Sequence, residues 1–183
     1  MTLYSAALFV HVVGAVLLFA ALTLEGVALR LLRRASTGMQ AASWAGLLRL
    51  NRGIGPLSAV AILVPGFYMT ATSWGPAGWI IVGLAAWVLV AVLGAFSGIR
   101  IVALERDLRA APGPLPPALQ ARMLDPRFPI SWWARVGLAL GVVFLMTVKP
   151  GTPGAIAAIA IATAVGLAVS APAWTRGRTR EPA

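Results

Sequence analysis

Apolar residues fall in five long runs along this chain, and charge is confined to their ends and the connections between them. The runs cover residues 4–32, 55–73, 79–104, 132–148 and 154–171. Crossing about 30 Å of hydrocarbon takes roughly 20 apolar residues at 1.5 Å each, so these runs predict transmembrane helices. The expected fold class is all-α: a polytopic membrane helix bundle of five spans. Residues 1–173 are read as one transmembrane domain and 174–183 as a basic cytoplasmic tail carrying Arg176, Arg178 and Arg180. The first run has no basic stretch before it and is too long for a signal peptide, so it is expected to stay as a helix.

The breaks between runs carry turn residues. Pro65-Gly66 falls inside the second run and predicts a kink. The connection 73–79 is uncharged, and Trp74, Trp79 and nearby Tyr68 suit an aromatic belt at a membrane interface. The longest connection, 110–129, includes Pro112-Gly113-Pro114-Leu115-Pro116-Pro117, which excludes a regular helix interior there. Ser131 is placed to cap the fourth run. Residues 39–51, with Trp44, Leu47, Leu48 and Arg49, read either as an amphipathic helix on the membrane surface or as an inner extension of the second helix. Glu105 and Arg109 are spaced for an ion pair on a helix continuing into water.

Small residues recur at four-residue spacing: Gly94 and Gly98, Gly137 and Gly141, then Gly154, Ala158, Ala162, Gly166 and Ser170. Such strips let helices approach closely, within the chain or in a homodimer or larger membrane complex.

Composition and charge add direction. Sixty per cent of residues are hydrophobic, mean hydropathy is +0.87 and net charge is +10. All fourteen arginines lie at run ends, in connections or in the tail, on what five spans make the same side, while the only lysine, Lys149, lies on the other. The excess of arginine marks the cytoplasmic side, giving N-terminus out and C-terminus in. These arginines are read as contacts to anionic headgroups of membrane lipids, not to nucleic acid. The expected location is a bacterial cytoplasmic (inner) membrane. With no cysteine, disulfides and thiolate chemistry are excluded. No phosphate loop, nucleophile–base pair or metalloprotease motif is present.

Two ionisable residues stand inside the first run, His11 and Glu25. Fourteen positions separate them, which returns both to one helix face together with Gly14, Leu18 and Leu22. Hydrocarbon offers no hydrogen bonds, so this face is expected to look into the bundle. The two are about 20 Å apart along the axis and cannot touch. Glu25 is expected to pair with Arg100 or Arg135, which share its depth, as a structural ion pair. The spare positive charge there could hold an anion such as a haem propionate. His11 is either a hydrogen-bonding packing residue or an axial ligand to haem.

The phrases Leu8-Phe9-Val10-His11-Val12-Val13-Gly14-Ala15 and Phe144-Leu145-Met146-Thr147-Val148-Lys149-Pro150 resemble the first and fourth helices of a broad bacterial group. That group includes CopD-type copper-resistance proteins, HemJ-type protoporphyrinogen oxidases and predicted integral membrane families without assigned function. The HemJ likeness implies haem on the first-helix histidine, here His11. It also implies a lysine in a later helix, whereas Lys149 stands at a helix end. The five methionines, Met1, Met39, Met69, Met123 and Met146, show no clustering of the kind copper handling uses. Three functions are therefore expected, in this order: a non-catalytic binding or accessory subunit, a haem-binding redox protein using His11 with Arg100 and Arg135, and a small oligomeric transporter or channel.

Overall fold

The computed structural model describes residues 2–178, with side chains described to residue 171. Among the described residues seven α-helices follow in order: α1 Leu3–Leu32, α2 Gly38–Leu47, α3 Asn51–Met69, α4 Gly78–Ala110, α5 Pro117–Met123, α6 Arg127–Val148 and α7 Thr152–Arg178. Among the described residues there is no strand, only one isolated bridge between Thr37 and Pro114. Five helical stretches are long and apolar enough to cross a membrane: Leu3–Leu32, Gly38–Trp74, Gly78–Ala110, Pro117–Val148 and Thr152–Ala171.

The second stretch settles what residues 39–51 do. A 3-10 turn at Leu48–Leu50 joins α2 to α3, and a π turn at Thr70–Trp74 ends the run. Residues 39–51 thus continue without a break into the second long apolar helix. Its 37 residues reach about 55 Å, well beyond about 30 Å of hydrocarbon. Thr37 caps α2 by accepting from the Gln40 N–H at 3.2 Å. Gly38, Ala41, Ala42 and Ala45 make one buried face of α2. They pack with Leu32 of α1, Leu104 and Leu108 of α4, and Met123 of α5. A Cβ on Gly38 would overlap the Ala111 carbonyl, so only glycine fits there. α3 stays helical through Pro56 and Pro65.

Two expectations for the fourth span are corrected. α6 begins at Arg127, five residues before the expected start. Asp125 Oδ1 accepts from the Arg127 N–H at 2.8 Å, which serves the first turn. Pro129 is tolerated because first-turn N–H groups lack helical partners anyway. Ser131 is consequently not a cap but an interior residue, its hydroxyl 3.0 Å from that of Ser97 on α4. The connection 110–129 also contains the short helix α5, started by Pro117.

α1 lies along α3, α6 packs on both α4 and α7, and α1 also meets α6. The small-residue strip of the fifth run is used inside the chain. A Cβ on Gly137 would meet the Ala162 carbonyl, and one on Gly166 would meet the Trp133 carbonyl. α7 runs past its expected end at residue 171 to Arg178, and residues 179–183, with Arg180 of the expected tail, lie outside the described residues. Most buried apolar side chains gather at the arginine-rich end, where Ala28, Leu29, Leu48, Ile101 and Phe128 form a second cluster beside that of α2. Elsewhere large apolar side chains point outward, Phe9, Phe67, Ile99 and Ile161 all being more than half exposed.

α3 and α4 are consecutive in the chain, yet no packed interface joins them. They flank a cleft whose back wall is α1 and α6.

Candidate functional site

The cleft holds two abutting cavities that share Leu18, Trp87 and Val90 in their walls. One, about 630 Å³, lies toward the arginine-rich end and contains Glu25, Arg135 and Asn51. The other, about 520 Å³, lies toward the tryptophan-rich end and contains His11.

Glu25 and Arg135 meet at the back of the first cavity. Arg135 Nη1 donates to Glu25 Oε2 at 2.8 Å and Nη2 donates to Oε1. The planar guanidinium matches the carboxylate with two parallel bonds. Both residues are buried, at 7% and 5% relative exposure, and Arg135 Nε donates further to the Ser131 carbonyl at 3.3 Å. One turn away, Trp132 Nε1 donates to the Leu22 carbonyl at 2.7 Å. The Trp132 ring lies so close to Gly26 that any Cβ there would overlap it. These contacts fix α6 against α1. Of the two arginines expected near Glu25, only Arg135 pairs with it. Arg100, the other candidate, lies exposed on α4.

Asn51 opens α3 beside this pair. Its Nδ2 donates to the Ala21 carbonyl at 3.1 Å, which fixes the amide orientation, and its Oδ1 is buried with no hydrogen-bond partner. Nearer the mouth, Glu105 is buried and shared by Arg109 at 2.8 Å and Arg49 at 3.7 Å. The expected Glu105–Arg109 pair therefore exists, but on the α2 side of the bundle instead of on a free helix in water. Arg52 is exposed and also lines this cavity.

In the second cavity, His11 Nδ1 lies 2.8 Å from the Ile62 carbonyl oxygen. A carbonyl only accepts, so Nδ1 carries a proton and donates it. Gly14 makes this approach feasible: a Cβ there would fall 2.8 Å from the Ala61 backbone. Trp74 closes the far rim, donating to Tyr4 at 3.2 Å and meeting the edge of Trp79 at a centroid distance of 5.7 Å. Lys149 Nζ sits 4.1 Å over the Trp74 ring. Among the described residues no arginine lines this cavity; Arg135 lines the other one.

Sequence reasoning passed over Asn51, Arg52 and Trp132. Asn51 is the only asparagine in the chain and stands just before an apolar run, which was a usable signal. No protein-family model, curated protein or solved structure matches this chain. The site is therefore read from its own geometry.

Proposed function

We propose that the chain is a multi-pass protein of the bacterial cytoplasmic membrane, with the arginine-rich end in the cytoplasm, that works as a non-catalytic binding or accessory subunit. Its cleft between α3 and α4 holds an apolar or amphipathic molecule drawn from the bilayer. One observation carries this reading: two neighbouring helices stand apart over abutting, mostly apolar cavities, although a short turn joins them. Concave apolar space with a few convergent polar groups is the usual form of a binding site. The buried Glu25–Arg135 fork is a fixed, neutral floor for it. Mass spectrometry of the purified chain tests the proposal. An apolar molecule should co-purify at a defined ratio and be lost when Gly98→Leu and Ala95→Phe fill the cleft. Equal retention in the filled variant would overturn the reading.

The haem reading keeps one supporting observation. His11 lines the second cavity and donates from Nδ1 to a backbone carbonyl, the kind of bond that orients metal-bound histidines. Among the described residues Lys149 is the basic side chain that lines the same cavity. A Soret band lost in His11→Ala would support it, and a colourless wild-type protein purified from haem-supplied cells would end it.

A further inference from the structure

Five charged side chains line the cavity toward the arginine-rich end: Glu25, Arg49, Arg52, Glu105 and Arg135. Glu25 is taken up by Arg135, and Glu105 by Arg109 and Arg49. With Arg109 counted, four arginines meet two carboxylates, and among the described residues no carboxylate pairs with Arg52. An unpaired cation at the edge of an apolar cleft calls for an anion. Beyond Arg52 the wall turns apolar, through Leu18, Val90 and Trp87.

From anion and tail in that order, we infer that the cleft binds a cytoplasmic-leaflet glycerophospholipid with a net-negative headgroup. Its phosphate lies on Arg52 with Arg49 beside it, and one acyl chain lies along Leu18, Val90 and Trp87. This inference rests on the cleft-binding reading and names the class of occupant. A headgroup with a quaternary ammonium fits less well, because it places a second cation beside Arg52.

The test uses the full chain in mixed micelles with equal phosphatidylglycerol and phosphatidylcholine, and counts retained lipid by native mass spectrometry. Wild type should retain phosphatidylglycerol in preference. Arg52→Gln should cut that preference about tenfold, the scale of one lost charge-assisted hydrogen bond, while Arg100→Gln, an exposed arginine away from the cleft, leaves it unchanged. Gly98→Leu should empty the cleft of both lipids. If Arg52→Gln leaves the preference intact, or Arg100→Gln lowers it equally, the headgroup assignment is wrong although the cleft still binds. If Gly98→Leu leaves retention unchanged, the cleft reading falls with it.

Discussion

Glu25 on α1 and Arg135 on α6 close a two-bond fork, largely buried at the back of the cleft. Desolvating two charges costs several kcal/mol per ion, and their attraction repays that only because the fork satisfies most of their hydrogen-bonding groups. Breaking the pair from one side is therefore much worse than removing it whole. Arg135→Met should destabilise the purified protein by about 3–5 kcal/mol, because it leaves the Glu25 carboxylate buried alone. Pairing it with Glu25→Leu should recover most of that loss. Unfolding of the three variants in detergent, followed by circular dichroism, checks both statements. A single variant as stable as the double would mean that the fork contributes nothing to how these helices pack.

Two glycines in similar sequence settings should respond in opposite ways. Gly137 faces the backbone of α7 so closely that a Cβ would strike the Ala162 carbonyl, whereas Gly98 opens into the cleft with nothing within 4 Å. Gly137→Leu should cost about 1–3 kcal/mol or more, the range for forcing atoms into a packed site, since α7 has to move away. Gly98→Leu should leave stability nearly unchanged or raise it slightly, as leucine is the better helix former. Melting temperatures compared at one detergent concentration separate the two.

The same contrast shows what could be read from the residues alone. Hydropathy located all five long helices, because a run of about 20 apolar residues has few other uses. The buried face of α1 was legible too: His11, Gly14, Leu18, Leu22 and Glu25 share one side, and all five turn inward. Arg135 and Arg100 could not be separated, since depth along a helix says nothing of which way it is rotated. Gly94 and Gly98 look like Gly137 and Gly141, yet Gly98 borders empty space and Gly94 only the Arg135 side chain, whereas Gly137 and Gly141 press on α7. Spacing permits close approach but does not say whether a neighbour arrives. The cleft itself was illegible, because it is a contact that α3 and α4 do not make. α2 was half visible: Gly38, Ala41, Ala42 and Ala45 follow helical spacing, but a face of small residues registers weakly against the larger Trp44 and Leu47.

His11 tests the α1–α3 contact on its own. Its bond to the Ile62 carbonyl lies beside Gly14, where the two helices nearly touch. His11→Phe keeps the ring and removes the donor, and should cost about 1 kcal/mol, the usual net value of one hydrogen bond. His11→Gln can still donate and should recover part of it. An unchanged melting temperature in His11→Phe would show that close packing at Gly14, not the imidazole, holds α1 to α3.

The proposed orientation rests on where the arginines are, and the chain is well suited to measuring it because it has no cysteine to interfere. Ser36 lies in the arginine-rich connection between α1 and α2, and Ser73 lies at the tryptophan-rich end of α3; both are exposed. Arg30, Arg33 and Arg34 flank the first site, whereas the nearest cation to the second is Lys149, stacked on Trp74. Cytoplasmic connections retain positive charge because anionic lipid and the membrane potential both favour it there. In intact cells, a membrane-impermeant maleimide should label Ser73→Cys and spare Ser36→Cys until the membrane is permeabilised. The reverse pattern would invert the protein and place Arg52, with the cleft mouth it guards, in the opposite leaflet. Labelling of both sites in intact cells would be worse still, since 37 residues of continuous helix from Gly38 to Trp74 would then have no bilayer between their ends.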